Sequence, residues 1–271
     1  MRPGIVMIPR PLPDGTPLLA RATEIARRAE ALGFAGVWLT DTMARGRPSL
    51  DPLALLAALA AVTARVELGT CVMQVPLRHP VELAHRAATV QALSGGRLRF
   101  GVGAGSTQAD FDAVQQDYAA RFKTLPAHLA VMRRVWAGEA VHGPALPAWP
   151  GSEGGPPVLL GAWRSQRWID YSVAHCQGWI ASGIYAEPDD LAVGARMYRD
   201  AGGTRAVLAN VFADFRPGAA AAIAHAKTTL VCSREEAKDR VARLASLGFD
   251  DVLFVCPFDA PDQLEAIRSL L

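Results

Sequence analysis

The 271-residue chain is 51% hydrophobic, 20% charged and 7% aromatic, which supplies a large buried core and excludes low-complexity disorder. Its net charge of +2 arises from interspersed acids and bases without a basic run, so neither nucleic acid nor an anionic membrane is indicated as a partner, and small molecules remain. Four scattered cysteines without a CxxC pair predict reduced thiols, no metal site and a cytoplasmic protein.

In chain order, the opening MRPGIVMIPRP is broken by prolines and does not read as a signal peptide. A first strand is expected near Gly4–Ile8. An amphipathic helix follows in ATEIARRAEALGFAGVWLTD, which passes through Leu-Gly-Phe into a buried strand, Gly36–Thr40, and ends at Asp41. Asp51–Ala64 predicts a second helix; the longest apolar run, Leu53–Val62, is far short of the roughly 20 residues a membrane span needs. Val66–Met73 reads as a third strand. Pro80 then opens a helix to Leu93, with Leu83, Ala84, Ala87 and Ala88 at helical spacing and Gly95-Gly96 as its stop.

The fourth strand, Leu98–Gly103, runs into a glycine-alternating loop, Gly101, Gly103 and Gly105, before Ser106. Missing Cβ atoms there serve a tight turn, or let a ligand or a neighbouring backbone approach. The spacing is GxGxG with Ser106 in the sixth position and no evident acidic partner downstream, so it is not a dinucleotide fingerprint. Val141–Pro156 gathers most loop-forming residues and reads as a connector rather than a lid. Further strands are expected at Pro157–Gly161, Gly178–Ser182, Ala206–Phe212 and Asp251–Cys256, with a short alanine-rich helix after the irregular Phe215–Gly218.

The segment EAKDRVARLASLGFDDVLFVC, ending at Cys256, is a weak copy of the first helix-to-strand unit. In both copies a glycine, Gly33 or Gly248, sits where the helix end must turn left-handed. Eight strands rich in Val, Ile, Leu and Phe, separated by helices, predict a parallel sheet covered by helices and closed as an α/β TIM (β/α)8 barrel, without a boundary for a second domain. Chemistry in such a barrel sits on loops after the strand ends, which nominates Arg10, Asp41, Thr42, Gln74, Ser106, Trp163, Arg164 and Asp214. No GxSxG elbow or HExxH pair occurs, and Lys123, Lys227 and Lys238 lie away from strand ends. Covalent hydrolysis and lysine-based aldolase or isomerase chemistry are therefore disfavoured, and the histidines read as structural.

The stretches LGFAGVWLTD, VELGTCVMQVPLRHPVELAHRAATVQALSGGRLRFGVGAGS, PPVLLGAWRS and CQGWIASG resemble, in order and spacing, the luciferase-like monooxygenase superfamily of flavin- and F420-dependent oxidoreductases. The resemblance covers nearly the whole chain and implies one TIM-barrel domain over residues 1–271. It implies reduced FMN at the carboxyl mouth, acting on oxygen or a small organic substrate, with the hard chemistry supplied by the cofactor. The alternatives are F420-dependent hydride transfer, for which a basic groove would be the sign, and a noncatalytic flavin-binding barrel.

By that resemblance the isoalloxazine ring rests on Thr70, Cys71 and Val72, where the family carries a bulge with a non-proline cis peptide, and near Gly103, Gly105 and Ser106. Asp41 and Thr42 line its other side, and Arg10 is a further catalytic candidate at the mouth. The family commonly has histidine where Thr42 stands; threonine hydrogen-bonds but is no general acid or base near neutral pH. The phosphate is expected at Gly161, Ala162, Trp163, Arg164 and Ser165, a loop that is often Gly-Gly-Gly-Ser in the family. Ser165 is the expected N-cap of a helix through Tyr171 whose dipole contributes about 0.3–1 kcal/mol to anion binding. The resemblance also implies a homodimer through Asp51–Ala64 and Pro80–Leu93, and leaves room for a separate flavin reductase as a partner.

Overall fold

Among the residues that the computed structural model describes, 1–219 and 225–271, nine short strands pair in parallel and close into a ring. They are β1 (Arg2–Met7), β2 (Gly36–Leu39), β3 (Glu67–Thr70), β4 (Met73–Gln74), β5 (Leu98–Gly103), β6 (Val158–Gly161), β7 (Gly178–Ser182), β8 (Ala206–Phe212) and β9 (Asp251–Val255). β1 pairs with both β2 and β9, and β5 pairs with both β3 and β4. β3 and β4 are two pieces of the third barrel strand, so the ring is an eight-stranded TIM barrel. Its outer layer is α1 (Leu18–Ala31), α2 (Pro52–Ala60), α3 (Pro80–Leu93), α4 (Gln108–Ala113), α5 (Arg121–Trp136), α6 (Gln166–His175), α7 (Pro188–Asp200), α8 (Arg234–Ser246) and α9 (Gln263–Arg268). None of these is long and apolar enough to cross a membrane. The alanine-rich helix expected after Gly218 falls on residues 219–224, most of which lie outside the described residues.

α1 buries Ala22, Ile25, Ala26 and Ala29 against the barrel, the one-face spacing its sequence predicts. Gly33 closes it at φ +77°, and the Phe34 N–H returns to the Ala29 carbonyl at 3.0 Å. Gly248 repeats the turn at φ +89° after α8, which Ser233 caps by accepting from the Glu236 N–H at 3.2 Å. The expected left-handed glycines are thus both present. α2 ends at Ala60, short of the expected Ala64, because the Glu30 carboxylate accepts from the N–H groups of Ala64, Arg65 and Val66 at 2.7–3.2 Å. The apolar faces of α2 and α3 are largely buried on their own barrel, through Leu53, Leu56, Leu59, Leu83, Ala84 and Ala87.

The expected continuous strand Val66–Met73 is interrupted: the ladder stops at Thr70, the Cys71–Val72 peptide is cis, and pairing resumes at Met73. Residues 141–156 form an irregular connector, tied back where the Gly154 N–H meets the Trp136 carbonyl at 3.3 Å.

A core layer fills the space between strands and helices, and a smaller cluster, including Val6, Trp38, Leu159, Val207 and Leu253, fills the barrel itself. Trp38 is the largest inward side chain, and a Cβ on Gly69 of β3 would collide with its ring. The amino-terminal end of the barrel is closed by charge. Glu67 accepts from Arg205 at 2.6 Å and Arg99 at 3.0 Å, and Asp251 accepts from Arg205 at 2.9 Å. Burial opposes ionisation of Glu67, but the hydrogen bond and charge of Arg205, with Arg99 and Arg2, outweigh it and hold the carboxyl below its usual range. These ion pairs tie together the amino-terminal ends of β3, β5, β8 and β9, and the opposite end is left open for chemistry.

Candidate active site

The carboxyl ends of the strands surround a cavity of about 820 Å³, within the range of small-molecule sites. Of the residues nominated from sequence, Asp41, Thr42, Cys71, Val72, Gln74, Gly103, Gly105, Ser106, Gly161, Ala162, Trp163 and Arg164 all line it. Thr70, Ser165, Arg10 and Asp214 stand outside that lining, each for a visible reason. The Thr70 hydroxyl is buried and donates to the Gly101 carbonyl at 2.7 Å. Ser165 occupies the N-cap position of α6, but its hydroxyl makes no capping bond, and the helix runs on to His175. Arg10 donates to Asp259 at 2.8 Å, and Asp259 in turn holds Arg216 at 3.1 Å, which grips Asp214 at 2.7 Å. Arg10 and Asp214 are the two ends of that surface chain of ion pairs.

The wall made by β3, β4 and β5 is closely fitted. A Cβ on Gly101 would collide with the Thr70 carbonyl, and one on Gly103 would lie 2.6 Å from Val72. At these two positions the missing side chain accommodates the adjoining strand piece. Gly105 turns left-handed at φ +86°, and a Cβ there would lie 2.7 Å from Gln74 Oε1. Burial pushes the Cys71 thiol well above its usual range, so it is a neutral thiol in this wall.

A polar clamp that the sequence did not reveal sets the geometry behind the wall. Asp110 of α4 is 0% exposed. One oxygen accepts from the Ala44 N–H at 2.9 Å and the Met43 N–H at 3.3 Å; the other accepts from Arg45 at 3.0 Å and Gln74 Nε2 at 3.0 Å. Burial works against its charge, yet Gln74, Ala44 and Arg45 together hold the carboxyl below its usual range. Asp41 is likewise committed: Arg78 donates to its two oxygens at 2.6 and 2.9 Å, and the Gln74 N–H adds a bond at 2.9 Å. This bidentate pair and the Gln74 N–H hold the Asp41 carboxylate against the start of β4.

Gln74 is 3% exposed. Its Nε2 donates to the Asp41 carbonyl and to Asp110, both at 3.0 Å. Both partners are acceptors only, which fixes the amide orientation: the reverse assignment would set oxygen against oxygen. Oε1 has no partner among the described residues and belongs to a cavity-lining side chain. A buried acceptor without a donor is expensive to maintain unless something supplies one.

Cationic groups gather at the rim. Arg121 of α5 lies over the Tyr118 ring at 3.7 Å and donates to the Tyr118 carbonyl at 2.7 Å, while its buried Nε has no partner among the described residues. Arg164 pairs with Asp190 at 2.6 Å. The first turn of α6 begins beside it, and its earliest intrahelical bonds, from Trp168 and Ile169 to the Ser165 carbonyl, leave the preceding N–H groups for a ligand. Arg45 and Arg47 complete the cationic lining.

Comparison with known proteins places this geometry. The profile described as luciferase-like monooxygenase matches residues 1–244. An uncharacterised protein of Mycobacterium tuberculosis is 26% identical over 194 residues, covering 62% of this chain and 66% of the relative. The chain thus spans just under two thirds of that relative's length. A 4-hydroxyprotoasukamycin monooxygenase of Streptomyces nodosus subsp. asukaensis is 32% identical over 122 residues, 45% of this chain and 33% of that protein. Among solved structures, the monooxygenase RslO1 from Streptomyces bottropensis superposes with a TM-score of 0.84 at 21% identity, covering 100% of this chain and 98% of its own. A coenzyme F420-dependent tetrahydromethanopterin reductase from Methanopyrus kandleri has a TM-score of 0.75 at 16% identity, covering 99% and 97%. The FMN-bound oxygenating constituent of 3,6-diketocamphane monooxygenase from Pseudomonas putida has a TM-score of 0.75 at 15% identity, covering 99% and 95%. These structural likenesses establish a shared fold.

Proposed function

The chain belongs to the luciferase-like monooxygenase family, and we propose that it binds reduced FMN at the carboxyl mouth of its barrel and oxidises a small organic substrate with molecular oxygen. The observation that carries this reading is the unpartnered Gln74 Oε1, an acceptor locked in place beside Gly105. An isoalloxazine ring has an apolar face and N–H donors at its edge, which suits the Cys71–Val72 wall and this acceptor. When bound, the reduced ring supplies the electrons that activate oxygen.

The chain's own residues bind, orient and exclude water. Val72 and the backbone at Gly103 offer a flat apolar support, and Gln74 orients the ring edge. Arg121, Arg164 and the first N–H groups of α6 would hold a phosphate, each by a charge-assisted or dipole-assisted bond. Thr42 donates or accepts one hydrogen bond without moving a proton as an acid or base. With Asp41 tied to Arg78 and Cys71 neutral, no lining group on this wall stands ready as a general base, in keeping with chemistry centred on the cofactor.

A second reading, hydride transfer with F420, is favoured by the cationic lining Arg45, Arg47 and Arg121, which fits a long anionic tail. Thr42 counts against it. We also read residues 1–271 as one domain, because Arg28 of α1 reaches Glu265 of α9 at 2.5 Å and Arg268 reaches the Leu32 carbonyl at 2.9 Å, joining the ends. Four free cysteines accord with a reducing cytoplasm. Reduced flavin would come from a separate reductase, and pairing of two chains would use α2 and α3, where Leu93 remains 62% exposed.

The test is a pair of anaerobic fluorescence titrations with reduced FMN and reduced F420, followed by oxygen-uptake screens and sedimentation of the protein. Saturable binding of FMN in preference to F420 supports the monooxygenase reading. Preference for F420 transfers it to hydride transfer, saturation without any turnover indicates a flavin-binding barrel, and binding of neither refutes both.

A further inference from the structure

The cavity has two unlike halves. The sector after β2 to β5 contains the Gln74 acceptor and the arginines Arg45, Arg47 and Arg121, the last lying over the Tyr118 and Phe122 rings, whereas the sector after β6, β7 and β8 carries the rings of Trp163, Tyr185 and Phe212, with no cation over them among the described residues. Trp163, on the loop after β6, and Tyr185, on the loop after β7, are 59% and 48% exposed and face each other with ring centroids 5.3 Å apart. Phe212, at the end of β8, meets His225 edge-on at 6.1 Å. All four line the same cavity. Large rings left this open at a cavity mouth have surface to give to a ligand.

Besides the Arg164–Asp190 ion pair, this wall carries an uncharged polar feature built by a backbone irregularity. The β8 register against β9 shifts between Leu208 and Val211, and within that shift Asn210 takes φ +60°, a left-handed conformation uncommon outside glycine. Asn210 lines the cavity, and its Nδ2 donates to Ser182 Oγ at the end of β7 at 3.3 Å. A bulge that presents an amide within an aromatic sector is the kind of outlier from which a role in recognition is argued.

We propose that this sector is the substrate subsite, and that it takes a planar aromatic molecule bearing a hydroxyl or carbonyl group. The rings of Trp163, Tyr185 and Phe212 bind its faces and edges, and the Asn210–Ser182 pair reads its oxygen. The subsite is separate from the wall assigned to the isoalloxazine ring, and through Trp163 it adjoins Arg164, where the phosphate is assigned; its chemistry rests on the flavin reading, but its binding preference does not.

The test is calorimetry on the purified full chain with three probes, 2-naphthol, naphthalene and decahydro-2-naphthol, which share a frame and differ in planarity or in the hydroxyl. Expected is saturable 2-naphthol binding at least tenfold tighter than that of the saturated alcohol. Tyr185→Leu should weaken 2-naphthol about tenfold, the scale of one lost stacking contact. Asn210→Gly tolerates the left-handed backbone and removes the side chain with its amide; it should weaken 2-naphthol about fivefold and leave naphthalene unchanged. Equal affinity for the planar and saturated alcohols, unchanged 2-naphthol binding in Tyr185→Leu, or no saturable binding would overturn the proposal. A parallel reduced-FMN titration on the same samples separates the two readings. Loss of FMN binding with the planar preference intact would count against the flavin reading alone; FMN binding without that preference would count against the subsite alone.

Discussion

Replacing Gln74 by glutamate tests the orientation on which the cofactor reading depends. In the native chain Nε2 lies 3.0 Å from an Asp110 oxygen, so an ionised carboxylate introduced there would face another at about that separation. At an effective dielectric of about 20 the repulsion is roughly 5–6 kcal/mol. Arg45 and Arg78 offset roughly half of it, leaving about 2–3 kcal/mol, or about two pK units. The introduced carboxyl would therefore titrate near pH 6–7 as part of a coupled pair, against about 4.3 in the unfolded chain. Protonated, it reproduces the glutamine pattern, with O–H toward Asp110 and C=O beside Gly105 in the place of the buried, unpartnered Oε1. Because its folded pKa is raised, the variant is near wild-type stability below the unfolded pKa and loses stability as pH rises toward the folded value. Urea unfolding from pH 4.5 to 8 should show a deficit of about 1 kcal/mol at pH 5, growing to about 3 kcal/mol by pH 7 and then level. A deficit independent of pH, or none at pH 8, would refute the assigned amide orientation and with it the fixed acceptor.

Other outcomes follow from the same geometry. Glu67→Gln should destabilise the barrel by about 2–4 kcal/mol in urea melts near neutral pH, since it strips charge from a group holding Arg205 and Arg99. Because the folded pKa of Glu67 is lowered, the stability it lends is present above its unfolded pKa and disappears as pH falls through the folded value, so the variant and the native chain should converge in acid. Gly101→Ala drives a methyl into the Thr70 carbonyl and should lower stability by about 2 kcal/mol or more, with a thermal midpoint shift as the readout. Cys71, held as a neutral buried thiol, should resist iodoacetamide at pH 8 under native conditions while the half-buried Cys232 reacts, as peptide mass spectrometry would show.

The barrel was legible because parallel strands covered by helices read as unbroken apolar runs, and because Gly33 and Gly248 mark two helix ends unambiguously. The third strand misread as continuous, since Thr70, Cys71 and Val72 look like ordinary strand residues; only the family resemblance marked the break there. Long-range polar capture escaped entirely. Asp110 grips partners 36 to 67 residues away in sequence, and Glu30 truncates α2 from 34 to 36 residues away. Neither has a local pattern, because an acid in a helix looks solvated until the fold brings backbone N–H groups to it. Arg10 failed as a cavity residue for the same reason in reverse: its partner Asp259 lies 249 residues on. Asn210 carried no signal, since a bulge inside a strand is set by register against its neighbours. Gln74 was nominated only by its place at a strand end; its unpartnered oxygen became visible once both hydrogens were accounted for.

The most direct measurement is the structure of the full chain crystallised anaerobically with reduced FMN, and within it the distance from Gln74 Oε1 to the nearest ring nitrogen. The account predicts about 2.7–3.2 Å, an ordinary N–H···O bond, with the ring against Cys71 and Val72 and the phosphate near Arg121 or the start of α6. A ring bound elsewhere, or one in this cavity that leaves Gln74 Oε1 without a donor, would contradict it.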